Sequence, residues 1–175
     1  MFNGINKIIE NNISETDLDY FCVILGLNPS KGARSPILWN KVFSDEKKKI
    51  KMFPLDVRSE RLDELFFCLQ EHKNCLGGAI AVPYKEVMFE LLEDQLSSDI
   101  VNIGAVNCFY RKNKLLSNKF RGTNTDGEAA LDPINKLLEN VRGMNIALVG
   151  MGGAGKAIWA FLNKKFKNSH RLTAF

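Results

Sequence analysis

The sequence predicts an α/β fold. Short apolar runs rich in β-branched residues alternate with amphipathic segments of helical period. A glycine-rich bend, GMGGAG, stands between one such run and a helix-forming segment. Composition agrees: 45% of the 175 residues are hydrophobic and 25% charged, enough for a packed core without the charge excess of a disordered chain. The length suits one medium domain, or one complete domain followed by part of a second.

In chain order, Ile5, Ile8 and Ile9 at helical spacing predict an opening helix, and ISETDLD is a polar break. Tyr20 to Leu27, apolar and partly β-branched, reads as a buried strand. NPSKGARSP is a loop, and a helix opens at Ser35-Pro36 with Ile37, Leu38, Trp39 and Phe43, because proline suits the first helical turn. The basic run Lys47 to Lys51 is a solvated face. MFPLDV is a second strand, and SERLDELFFCLQEHK an amphipathic helix with Ser59 as cap and Leu62, Leu65, Phe66 and Leu69 on one face.

The segment GGAIAV is a third strand, broken at Pro83, and a helix follows from Lys85 with Val87, Phe89, Leu91 and Leu92 available for burial. IGAVNCFYRKNKLLSNKFRG predicts two strands about a Lys112-Asn113-Lys114 turn. From Asp126 to about Val141, Leu131, Ile134, Leu137 and Leu138 mark a helical stretch that Pro133 kinks or restarts. Asn145 to Val149 is a strand, Lys156 to Phe166 a helix, and RLTAF begins another strand. A boundary is expected between residues 122 and 143, dividing the chain into 1–122 and 123–175.

Lys plus Arg number 24 against 20 Asp plus Glu, and the resulting +4 favours anionic small molecules but falls short of a nucleic-acid signature. No run approaches the ~20 apolar residues of a membrane span, and Glu10 interrupts the N-terminus where a signal peptide would be apolar. Cys22, Cys68, Cys75 and Cys108 form no C-x-x-C pair and read as reduced thiols. The expected setting is therefore the cytoplasm, with no membrane, nucleic-acid or metal partner; a homodimer stays open.

Gly150, Gly152 and Gly155 fit G-x-G-x-x-G in its proper context, strand before and helix after. With Gly153 and Ala154 they would let backbone approach a dinucleotide pyrophosphate at a helix N-terminus. The same residues open the pattern G-x-x-x-x-G-K of a nucleotide-hydrolase phosphate loop. That loop needs Ser or Thr after the lysine to ligate Mg²⁺, and Ala157 offers no oxygen. The position ~20 residues beyond the motif that separates NAD from NADP falls at the end of the chain, so the second unit is expected to be an incomplete, truncated Rossmann-type dinucleotide-binding domain.

Taken in order, NPSKGARSP, AVPYKE, IGAVN, GTNTDG and GMGGAG resemble the shikimate dehydrogenase family from about Tyr20 onward. The resemblance implies an N-terminal α/β domain that binds a cyclic hydroxy acid and a second domain that binds NADP, NAD staying open. It implies reversible NADP-dependent reduction of 3-dehydroshikimate or a related ring ketone. Lys85 matches the family's lysine in V-P-x-K and Asp126 its catalytic aspartate in N-T-D-G. Asn107 matches the asparagine that hydrogen-bonds substrate hydroxyls, and Ser35 the second serine of S-x-S-P, a contact for the substrate carboxylate.

Taken singly, each residue has an ordinary structural role: Lys85 a solvated helix start, Asp126 and Ser35 caps, Asn107 a turn. The chain also departs from the pattern. Ala33, Ala79 and Ala81 stand where the family has Ser, Asn and Thr. Three lost hydrogen bonds at about 1 kcal/mol apiece would change substrate preference, while Lys31 and Arg34 could pair with a carboxylate. Two alternatives follow: a catalytically silent binding module or subunit, and an enzyme of the same chemistry acting on quinate or another hydroxy acid.

Overall fold

Three of the apolar runs line up as adjacent parallel strands on one side of a five-stranded sheet. The computed structural model describes residues 2–92, 95–97, 100–111 and 119–175. After a short helix α1 (Asn3–Asn6), strand β1 (Tyr20–Gly26) leads through a loop to helix α2 (Ser35–Asp45) and strand β2 (Ile50–Asp56). Helix α3 (Leu62–Glu71), strand β3 (Cys75–Ile80) and helix α4 (Lys85–Leu91) follow, then strands β4 (Cys108–Tyr110) and β5 (Arg121–Thr123). The sheet order is β2-β1-β3-β4-β5; β2 and β3 run parallel to β1, and β4 is antiparallel to both β3 and β5. The expected turn at 112–114 lies outside the described residues.

One face of this sheet carries the core, as strand alternation dictates. Phe21, Val23 and Leu25 of β1 are fully buried with Leu55 of β2, against Leu62, Leu65, Phe66 and Leu69 of α3. Phe109 and Phe120 meet edge to face at 4.8 Å, with Phe66 5.7 Å from each. Cys75 lies in this core, where burial pushes its thiol up to about 12. All four cysteines are free. On the opposite face α2 covers only the β2 side. Trp39 and Phe43 wall an apolar groove of about 240 Å³ floored by Cys22, Ala79 and Cys108, and Ile37 and Leu38 face solvent.

Two helices differ from their expected form. The N-terminal helix closes after Asn6, whose side-chain amide donates to the Ile13 carbonyl and accepts from the Ile13 N–H. That side-chain pairing competes with helical hydrogen bonds, although Ile5, Ile8 and Ile9 are buried all the same. In α4 the buried stripe is Tyr84, Met88 and Leu92, whereas Val87 is exposed. Tyr84 anchors that register, its hydroxyl donating to the Val57 carbonyl at 2.6 Å.

Beyond β5 the chain builds a second, smaller layer. Helix α5 (Asp126–Leu131) passes through a 3-10 turn at Pro133 into helix α6 (Asn135–Asn140), the restart that proline imposes. Strand β6 (Asn145–Leu148), helix α7 (Gly153–Phe166) and strand β7 (Arg171–Ala174) then form a β-α-β unit with parallel strands. Leu131, Leu138, Leu162 and Phe166 make its core, separate from the first. Helix α7 begins at Gly153, three residues ahead of the expected Lys156, because the glycines themselves enter the helix after Gly152 caps it. No helix among the described residues is long and apolar enough to cross a membrane.

Candidate functional site

Parallel strands direct their following loops to one edge of a sheet, and the residues singled out from the sequence gather there. The loop after β1 carries Ser35 at the first turn of α2, partly buried. The loop after β3 delivers Lys85 as the first residue of α4. The two loops touch: a Cβ built on Gly26 would lie 2.9 Å from Ala81 Cβ and 3.4 Å from Pro29 Cδ. Asp56, at the end of β2, fixes the first loop from below, accepting from the Ser30 N–H at 2.8 Å and from its hydroxyl.

Lys85 and Asp126 meet across this edge. Lys85 Nζ donates to Asp126 Oδ2 at 2.6 Å, and Asn107 Nδ2 donates to Asp126 Oδ1 at 2.7 Å. The side chains of Lys85 and Asp126 are 17% and 25% exposed, open to a ligand yet largely withdrawn from bulk water. Asn107 also donates to Thr125 Oγ1 at 3.0 Å and accepts the Thr125 N–H at 3.0 Å. Backbone bonds hold the frame: the Val106 N–H donates to the Lys85 carbonyl, and the Ile80 N–H to the Asn107 carbonyl, both at 2.8 Å. An ammonium and a carboxylate sharing one hydrogen bond, beside an amide donor, suit a ligand hydroxyl or carbonyl. The ammonium stabilises negative charge on that oxygen, and the carboxylate takes or returns a proton.

Asn124, Tyr84 and Asp56 were not among the residues picked from the sequence. Asn124 Oδ1 accepts the Asp126 N–H at 2.9 Å, and its Nδ2 donates to the Ala105 carbonyl at 2.9 Å. The only sequence trace of this is an Asn two residues before an Asp, the spacing at which an asparagine side chain bonds backbone two positions on. Of the three alanines at family polar positions, Ala79 lines the apolar groove beside Trp39 and Phe43. Ala33 and Ala81 are partly buried in the two contacting loops.

The glycine turn folds back toward the same edge. A Cβ on Gly153 would lie 3.0 Å from the Lys85 Cβ. Gly150 has a φ of +97°, and a Cβ on Gly155 would stand 1.9 Å from the Gly150 carbonyl oxygen, so the turn closes only with glycine at 155. Gly152 caps α7 with nothing within 4 Å of its Cβ direction, and Ala154 is exposed in the first helical turn. Lys156, which a hydrolase phosphate loop would aim at phosphates, instead pairs with Glu86 of α4 at 2.9 Å.

Comparison with known proteins places these features in company. Residues 25–109 match the model of the shikimate dehydrogenase substrate binding domain. A Pyrococcus furiosus protein named shikimate dehydrogenase (NADP(+)) is 33% identical over 146 residues, covering 78% of this chain and 48% of its own. One of the same name from Caldanaerobacter subterraneus is 32% identical over 143 residues, 81% of this chain and 49% of its own. The chain thus spans about half the length of these curated relatives.

Among solved structures, shikimate dehydrogenase from Aquifex aeolicus aligns with a TM-score of 0.74 at 25% identity, over 93% of this chain and 57% of that one. Shikimate 5-dehydrogenase from Thermus thermophilus, solved in complex with NADP(H) and shikimate, shares the fold with a TM-score of 0.71 at 20% identity, over 89% of this chain and 55% of that one.

Proposed function

The chain belongs to the shikimate dehydrogenase family, and from that premise we propose that it serves the reversible, NADP-dependent interconversion of a cyclic hydroxy acid of the shikimate class and its ring ketone. The observation that carries this reading is the 2.6 Å hydrogen bond between Lys85 and Asp126, with Asn107 on the second carboxylate oxygen. In the reducing direction Lys85 Nζ donates to the ketone oxygen and stabilises the alkoxide as it develops. Lys85, left neutral, regains a proton from water, and the adjacent Asp126 carboxylate favours its return to the ammonium form. Asn107 orients a neighbouring hydroxyl, and Ser35 takes the ring carboxylate at the N-terminal turn of α2.

The glycine turn fits a dinucleotide. The space in front of Gly152 is empty of side chains, and the first amides of α7 are free of intrahelical partners, as at any helix start. Gly150, Gly152, Gly153, Ala154 and Gly155 would hold the pyrophosphate by backbone. Bound NADPH supplies the hydride. We assign residues 1–122 to substrate binding and 123–175 to the opening of the dinucleotide unit. A cytoplasmic setting belongs to the same reading.

The test is calorimetric titration of shikimate into the chain and into its Lys85→Ala and Asp126→Ala variants, with NADP⁺ turnover followed in parallel. Each substitution should weaken binding about 10-fold or more and lower turnover by roughly 10²-fold or more, with circular dichroism unchanged. Binding and turnover untouched by Lys85→Ala would overturn the assignment. The methyl groups at Ala33, Ala79 and Ala81 favour a second substrate of the same class, and quinate titrated alongside shikimate reports which ring the site prefers.

A further inference from the structure

Along the flank of α7, apart from the Lys85–Asp126 pair, an open crevice of about 740 Å³ runs between the helix and the loop at 101–104. Lys156, Trp159, Lys164 and Lys167 supply its helical wall. With Ala160 and Asn163 they occupy one side of the helix, flanked by the buried Ala157 and Phe166, with Leu162 buried behind. Asn102 stands in the facing loop.

Charge is distributed unevenly along this helix. Lys156 is spent on Glu86 and Lys165 on Glu139, at 2.9 and 2.7 Å. Lys164 and Lys167 both line the crevice, and neither pairs with a carboxylate among the described residues. No Asp or Glu is among the described residues of its lining. The helix dipole favours cations in the last turn, where Lys164 and Lys165 both lie, while Lys167 stands at the C-cap beyond it. Two lysines lining one concavity with a partly buried indole are a recognition chemistry, because phosphate takes several lysine donors and a planar ring takes an aromatic face.

We propose that this crevice binds a small organic phosphate bearing a planar ring, of the mononucleotide class. Lys164 and Lys167 hold the phosphates, Trp159 takes the ring, and Asn102 reads its polar edge. The volume lies within the range of small-molecule sites, ~300–1,000 Å³. The crevice reaches the glycine turn at Met151, but the two lysines sit roughly 20 Å along the helix from that turn at ~1.5 Å of rise per residue, which separates their phosphate position from the dinucleotide's.

The probe is adenosine 5′-diphosphate, titrated into the chain by calorimetry and by Trp159 emission in a Trp39→Phe background. Saturable heat with altered emission is expected, and inorganic pyrophosphate should compete. Lys164→Glu combined with Lys167→Glu reverses two exposed charges and should weaken binding at least 10-fold without changing the circular dichroism spectrum. Gly152→Asp, which sets a carboxylate at the turn, should leave it within about twofold. Absence of heat at millimolar nucleotide would reduce the two lysines to solvated helix-end charges. Binding that survives the double reversal, or is lost on Gly152→Asp, would assign the nucleotide to the glycine turn and overturn the proposal.

Discussion

Asp126 is gripped from three directions: Lys85 on one oxygen, Asn107 on the other, and Asn124 on its backbone N–H. The third grip decides where the carboxylate points, because Asn124 also ties that backbone to the Ala105 carbonyl in the loop leading to Asn107. Asn124→Ala removes both bonds and leaves two backbone groups seeking water. At about 1 kcal/mol each, the chain should lose roughly 2 kcal/mol in denaturant unfolding and bind shikimate several-fold more weakly. Unchanged affinity would limit Asn124 to a turn residue. Lys85, Asn107 and Asp126 were legible in the sequence because each sits in a short motif and the motifs keep a family order. Tyr84 and Asp56 were not, because their partners lie elsewhere in the chain: Tyr84 reaches back 27 residues to Val57 and Asp56 reaches 26 to Ser30. Periodicity says nothing about such pairings.

Where elements meet, backbone proximity matters more than side-chain volume. Helices α5 and α7 cross with Gly127 against Ala157: a Cβ on Gly127 would lie 2.4 Å from the Ala157 carbonyl oxygen and 2.9 Å from its carbon. Neither backbone atom can rotate aside as a side chain would. Gly127→Ala must therefore separate the two helices, and it should cost about 1–3 kcal/mol, a fall of several degrees in melting temperature. Gly152→Ala meets nothing within 4 Å and should cost under about 1 kcal/mol, most of it lost capping preference. Equal melting temperatures for the two variants would show that the crossing relaxes freely. The strands and α3 could be read from the sequence because their apolar spacing coincides with the buried face. Helix α4 could not, since its stripe is set by Tyr84 just outside the helix and leaves Val87 in solvent. In α2 the apolar residues mark a helix but not its packing, with Ile37 73% exposed.

Across the whole molecule two cores of unequal size share one site. The first draws on residues from Phe2 to Phe120, while the second is built around Leu131, Leu138, Leu162 and Phe166 under a two-stranded sheet. A pair of strands covered by α7 and the short helices α5 and α6 has a small core of its own, so contact with the larger unit adds much of its stability. The Lys156–Glu86 bridge contributes little there, because both side chains are more than a third exposed and such pairs are worth under about 1 kcal/mol. The contacts that matter lie at Gly153 against Lys85 and along Lys85–Asp126, which are also the site's own contacts. Opening of the smaller unit then separates the glycine turn from Lys85 while the first core stays folded. Native-state hydrogen exchange should show β6 and β7 amides exchanging at free energies well below those of β1 and β3, and a ligand bridging Lys85 and Asp126 should slow the former selectively. If all four strands exchange together, the two cores unfold as one unit and the glycine turn never leaves Lys85 without global unfolding.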